Sequence, residues 1–123
     1  MNICIIGIGS NIDAEENIRL MLNLLGCKVE IVCVSSFLKT KPVGIEDQPV
    51  FTNGAVKIRT TLAEPELSVL LKGIEDELGR DRTAPRYGPR TIDLDIVVWN
   101  GVIVDHDYYS RGFLRASVDQ VNS

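Results

Sequence analysis

The chain has 123 residues, 45% hydrophobic and 24% charged, a size and balance that fit one domain with a real core and not a disordered segment. No apolar run approaches the ~20 residues of a membrane span, and the N-terminus MNICIIGIGSN has no basic stretch of the secretory kind. The net charge of −4 speaks against a general nucleic-acid binder, so a cytoplasmic protein free of membrane and nucleic acid is expected. Residues 2–7 read as a buried strand, with Gly7 and Gly9 closing it in a turn over G7-I-G9-S10-N11. A helix follows from about Ala14 to Leu25. Asp13 and Glu16 have capping-box spacing, Ile18, Met21, Leu22 and Leu25 form the apolar stripe, and Gly26 supplies the stop. Residues 28–39 alternate as a second strand, 40–49 read as a loop, and 51–60 as a third strand. A second helix starts near Pro65 and runs to Leu78, with Leu67, Leu70, Leu71, Ile74 and Leu78 on one face and Gly79 at its end. An arginine- and proline-bearing loop over 80–90 leads to a last clear strand, Thr91–Trp99. A short hairpin or strand and a helix from about Gly112 complete the chain.

The order βαββαβ predicts an α+β, ferredoxin-like sandwich: an antiparallel sheet with both helices on one face, in a single domain over 1–123. Cys4, Cys27 and Cys33 are odd in number and lack C-x-x-C spacing, so they read as small apolar residues, not as a disulfide framework or zinc site.

Chemistry concentrates near residues 80–95. The segment 80–90 holds four of the eight arginines, a local charge of +3 on a remainder of −7, which points to one anionic ligand. In T91-I-D-L-D-I-V-V98, alternation sends Ile92, Leu94, Ile96 and Val98 to the core and Thr91, Asp93, Asp95 and Val97 to the other face. Two carboxylates about 7 Å apart at Cα suit Mg²⁺, which takes its remaining ligands from water and phosphate. With Arg80, Arg82, Arg86 and Arg90 alongside, the set is suited to phosphoryl transfer. The plainer alternatives are solvated aspartates and arginines that merely neutralise Glu75, Asp76 and Glu77. Glu75 lies at the edge of its helix's apolar stripe, either turned outward or placed in a pocket, with Lys72 on the same face. Phe51 and Asn53 share a strand face opposite Val56 and Ile58, which would turn them toward the aspartates as a surface suited to a flat heterocycle; the plainer alternative is an ordinary strand aromatic.

These residues resemble the 6-hydroxymethyl-7,8-dihydropterin pyrophosphokinase family of folate biosynthesis. R86-Y-G-P-R-T-I-D-L-D-I-V97 carries the resemblance, with further matches at G9-S-N11, S35-S-F37, T40-K-P-V-G44, Q48-P-V-F-T-N53, I74-E75, L78-G-R80 and R111-G-F113. The resemblance implies the same sandwich fold and transfer of the β,γ-pyrophosphoryl unit of ATP to the pterin hydroxymethyl group. It implies catalytic roles for Arg80, Arg90, Asp93 and Asp95, with Asp93 and Asp95 binding two Mg²⁺ ions. It assigns Glu75, Arg82, Tyr87, Arg90 and Arg111 to the ATP site, and Thr40, Val43, Phe51, Asn53 and Phe113 to the pterin pocket, the ring held between the two phenylalanines. Tyr87 replaces the family's usual tryptophan, Lys72 its common glutamine, the segment before His106 is short, and Arg111 follows His106 one residue sooner than is usual. A monomer is expected. The competing reading is a non-catalytic pterin- or nucleotide-binding module on the same fold.

Overall fold

The computed structural model describes residues 1–42, 44, 47–80, 83 and 88–122. Six strands and four helices follow in the order β1 (Asn2–Ser10), α1 (Ala14–Gly26), β2 (Glu30–Val34), β3 (Leu38–Thr40), β4 (Phe51–Thr60), α2 (Glu64–Glu77), β5 (Asp93–Trp99), β6 (Val102–Ile103), α3 (Asp107–Ser110) and α4 (Gly112–Val121). The sheet runs β2-β4-β1-β5-β6, with β3 also on β4, and every pairing is antiparallel. If β2 and β3 count as one strand, this is the α+β, ferredoxin-like order expected from the sequence.

β1 is central and flanked on both sides, which is why its run is apolar on both faces. Cys4, Ile6 and Ile8 pack with Val56 and Ile58 under Ile18, Met21 and Leu25 of α1 and Leu67, Leu71 and Ile74 of α2. Burial pushes the Cys4 thiol up to about 12, with Glu64 adding to the effect, so it serves as a core side chain. On the opposite face Ile5, Ala55, Val97 and Val98 pack beneath Val118 and Val121 of α4. The two predicted crossover helices therefore share one face, and the C-terminal helix covers the other.

Five local expectations need correction. The segment G7-I-G9-S10 is strand, not turn: Gly7 pairs with Ala55 and Asp95, and Gly9 with Asn53 and Asp93. Its glycines make room instead, since a Cβ at Gly7 would meet Leu114 Cδ1 of α4 at 3.0 Å. The capping box at α1 does not form. Asp13 takes a left-handed conformation (φ 44°) without a side-chain cap, while Glu16 pairs with Arg19 and Asn17 Nδ2 donates to the Ile12 carbonyl.

The strand expected over 28–39 breaks in two. Ser35 Oγ accepts from Ala55 N at 2.8 Å, Gln120 Oε1 accepts from Ser36 N, and the Phe37 ring occupies the space a side chain at Gly54 would need. The strand expected from Thr91 begins at Asp93, because the Thr91 carbonyl accepts from Ser10 Oγ at 2.6 Å instead of joining the ladder. Val98 leaves the predicted face. A register shift on β1 between Ile5 and Ile6 places Val97 and Val98 in the α4 cluster together.

Candidate active site

The sheet topology brings β4 and β5 to either side of the C-terminal half of β1. Asp93 lies across from Gly9 and Asp95 from Gly7, and Asn53 reaches Gly9 from the opposite side. A Cβ at Gly9 would meet Asn53 Oδ1 at 3.1 Å, Phe51 Cδ1 at 3.9 Å and Asp93 Cβ at 4.0 Å. Phe51, Asn53 and Asp93 thus share a sheet face, as the alternation predicts, and Gly9 is the floor between them. β3 adds Thr40, paired with Phe51, whose hydroxyl accepts a hydrogen bond from Asn53 Nδ2.

α2 supplies the next wall. Gly79 ends it at φ 84°, a backbone conformation glycine adopts without strain, and lets the Arg80 amide return to the Glu75 carbonyl at 3.0 Å. The turn also carries the Arg80 side chain back over Glu75. One guanidinium nitrogen, Nη1, lies 2.9 Å from Glu75 Oε2 and 3.0 Å from Asp93 Oδ1, and Arg90 Nη1 lies 3.8 Å from that Asp93 oxygen. Glu75 is 4% exposed and also accepts the Leu94 amide at 2.8 Å. Of the two readings the sequence left open, the pocket holds: Glu75 ties α2, the arginine and β5 together.

Beside this bridge lies a cleft of about 540 Å³. Arg80, Asp93, Asp95 and Ile96 form one side, and Glu64, Ser68, Lys72 and Glu75 of α2 the other. The sequence reading missed Glu64 and Ser68, although they precede Lys72 and Glu75 at the helical spacing that places residues on one face.

Asp95 keeps its carboxyl at the mouth of this cleft. Desolvation pushes its pKa up to about 7, with the negative charges of Asp93, Asp105 and Glu75 adding to the rise and Arg80 opposing it. Solvent reaches the residue and screens part of the repulsion. The unfolded chain releases this proton near 3.8, whereas the folded chain holds it to about 7. Between those values the folded form binds more protons, so raising the pH erodes stability. In metal-free buffer Asp95→Asn is therefore expected to melt above the wild type at a pH of about 8, the gap closing below a pH of about 4. Thermal melts across that range check it, and a lower melting temperature for the variant at high pH would contradict it.

The donor set suits a hard divalent cation. Among the described residues no group of three or more His, Cys, Asp and Glu side chains gathers into a metal-binding cluster. What β5 presents is two carboxylates in a region of concentrated negative charge, the kind of site where Mg²⁺ keeps several waters and takes phosphate oxygens as further ligands.

The remaining expected residues are placed less tightly. Val43, Arg82, Arg86 and Tyr87 lie outside the described residues. Arg111 caps α4 and sits 3.7 Å from Asp107 Oδ2. Phe113 follows in the first turn of α4, one residue before the Leu114 that covers Gly7. Among the described residues the ring pair in contact is Tyr108 with Tyr109, so Phe51 and Phe113 do not stack on one another. His106, exposed, precedes α3.

Comparison with known proteins agrees with this geometry. The family model described as 7,8-dihydro-6-hydroxymethylpterin-pyrophosphokinase matches residues 5–123. A 2-amino-4-hydroxy-6-hydroxymethyldihydropteridine pyrophosphokinase of Bacillus subtilis is 44% identical over 131 residues, spanning 98% of this chain and 78% of the relative. The protein of the same name from Haemophilus influenzae is 37% identical over 129 residues, spanning 96% and 80%. A folate synthesis bifunctional protein of Arabidopsis thaliana is 38% identical over 125 residues, covering 91% of this chain and 25% of that longer one. With Phe51, Asn53 and Asp93 gathered around Gly9, Arg80 bridging Asp93 to Glu75, and a family match over nearly its whole length, the chain belongs to the 7,8-dihydro-6-hydroxymethylpterin-pyrophosphokinase family.

Proposed function

We propose that this chain transfers the β,γ-pyrophosphoryl unit of ATP to 6-hydroxymethyl-7,8-dihydropterin. The pterin hydroxymethyl oxygen attacks the β phosphorus, the bond from that phosphorus to the α–β bridging oxygen breaks, AMP leaves, and the hydroxyl proton is lost. The observation that carries this reading is the junction at Gly9, where Asn53, Phe51 and Asp93 all come within 4.0 Å of the place a Cβ would take. The wall suited to a flat heterocycle and the carboxylate suited to a phosphate-bound metal thus meet, as in-line transfer between two bound substrates requires.

Asp93 and Asp95 would hold two Mg²⁺ ions, which when bound neutralise and orient the triphosphate. Arg80 and Arg90 converge on Asp93, which supports a role for both in stabilising charge on the transferring group. Glu75, Arg82, Tyr87, Arg90 and Arg111 are assigned to ATP, and Thr40, Val43, Phe51, Asn53 and Phe113 to the pterin, its ring to be held between Phe51 and Phe113. Hydrogen bonds to the Asn53 amide would select the ring by its donor and acceptor pattern. In this reading one domain works as a cytoplasmic monomer. A binding module would have no use for the carboxylate pair and its two arginines, which disfavours the non-catalytic alternative.

AMP release from ATP and Mg²⁺ tests the proposal. It should depend on added hydroxymethyl-dihydropterin, and ATP consumption indifferent to the pterin would reject it. Gly9→Ala probes the junction itself. The new methyl group lands 3.1 Å from Asn53 Oδ1, so the amide that donates to Thr40 must shift by a few tenths of an ångström. Overpacking of this kind costs ~1–3 kcal/mol, so the pterin KM should rise about tenfold or more while the ATP KM changes little. Steady-state kinetics with each substrate varied in turn checks this.

A further inference from the structure

Asn11 lies just past the end of β1 and is 6% exposed. Its side chain is fully engaged in two directions. Nδ2 donates to Gln48 Oε1 and to the Pro49 carbonyl, both at 2.9 Å, and Oδ1 accepts from the Arg90 amide at 2.8 Å. The Asn11 amide completes the set by donating to the Arg90 carbonyl at 3.1 Å. The neighbours fix the orientation of the side-chain amide, because the Pro49 carbonyl can only accept and the Arg90 amide can only donate. These partners are 37, 38 and 79 residues away in sequence, and in the functional reading above they lie on the pterin and the phosphate sides of the site. Gln48 and Pro49 lead directly into Phe51 and Asn53, whereas Arg90 reaches Asp93.

We infer that Asn11 is a positioning residue that joins the pterin wall to the phosphate-transfer side of the site, holding Gln48–Pro49 and Arg90 in one fixed relation from the end of the central strand. The inference rests on the functional reading above. An amide is needed because the task combines two donors with an acceptor on one short, buried side chain. Aspartate keeps the acceptor for Arg90 and loses both donors. Alanine loses all three bonds. A misplacement of either partner by a fraction of a bond length would separate acceptor and phosphate from their in-line arrangement.

The test compares Asn11→Asp, Asn11→Ala and Gln48→Ala with the wild type. Calorimetry supplies pterin affinity in the presence of Mg²⁺ and a non-hydrolysable ATP analogue, and melting curves supply the folded fraction. Asn11→Asp should weaken pterin binding about tenfold or more per folded molecule, with affinity for the ATP analogue within about twofold of wild type. Asn11→Ala should show the same pterin loss and, with the side-chain bond to the Arg90 amide gone, a further fall in kcat of about tenfold. Gln48→Ala should weaken pterin binding severalfold, and adding it to Asn11→Asp should have little further effect, since both remove one shared contact. A purely structural role would lower the melting temperature and the active fraction but leave pterin affinity of the folded protein unchanged. That result, or additive effects of the two substitutions, overturns the inference. Should the Asn11 variants fail to fold, Gln48→Ala decides alone, and unchanged pterin affinity there is the contradicting outcome. Wild-type protein that binds no pterin would instead overturn the functional reading, and the inference with it.

Discussion

Replacing Asp95 with alanine should cut AMP formation by at least ~10²–10³-fold, the usual cost of removing one electrostatic stabiliser of a transition state, and more where the ligand is shared between metals. The side chain lies at the cleft mouth and outside both apolar clusters, so the fold should survive. Relief of its repulsion with Asp93, Asp105 and Glu75 should leave the metal-free protein at least as stable as wild type near neutral pH. Loss of turnover with no loss of stability separates a functional carboxylate from a structural one. Rates measured beside thermal melts check both halves, and wild-type AMP production by this variant would remove Asp95 from the metal site.

Arg80→Ala should damage rate and stability together. Its guanidinium nitrogen bridges Glu75 and Asp93 at 2.9 and 3.0 Å, and the side chains of Arg80 and Glu75 are only 16% and 5% exposed. Deleting the arginine takes one counter-charge from a buried carboxylate, and removing one partner of a buried pair costs ~3–5 kcal/mol. Turnover should fall by ~10²–10³ as the charge facing the phosphates disappears. The double variant Arg80→Ala with Glu75→Gln separates the two effects. Neutralising Glu75 should restore much of the stability while leaving turnover low. Urea unfolding and AMP assays on the single and double variants decide it. Recovery of turnover in the double variant would mean that Arg80 serves only to neutralise Glu75.

Much of this site was legible from local pattern. The alternation Ile92, Asp93, Leu94, Asp95 sets two carboxylates on one face and two core residues on the other, and the structure follows it as far as Ile96. It fails at Val98 because a bulge depends on the partner strand, which period-two reading does not include. Gly7 and Gly9 misled for a related reason. Local reading takes paired glycines as a turn, whereas here they are a strand's clearance for Leu114 above and for Asn53, Phe51 and Asp93 around the site.

The covering of the second sheet face by α4 left a signal in Leu114, Val118 and Val121, spaced by four and three residues, but the face they bury against is a property of the assembled sheet. Asn11 is the clearest case of the remainder. Beside a serine and two glycines it reads as turn chemistry, and nothing local announces that its partners are Gln48, Pro49 and Arg90. The bridging role of Glu75 was hidden likewise, because it requires the turn at Gly79 and the amide of Leu94 to arrive from different elements.

The most direct measurement follows the phosphorus atoms. In a single turnover with Mg²⁺, hydroxymethyl-dihydropterin and ATP radiolabelled at either the β or the γ phosphorus, the pyrophosphokinase account predicts that both labels leave ATP together. Each should appear in the pterin product, with unlabelled AMP formed in equal amount. Label confined to the γ position of the transferred group, with ADP in place of AMP, or label released as free phosphate with the pterin unaltered, would contradict it.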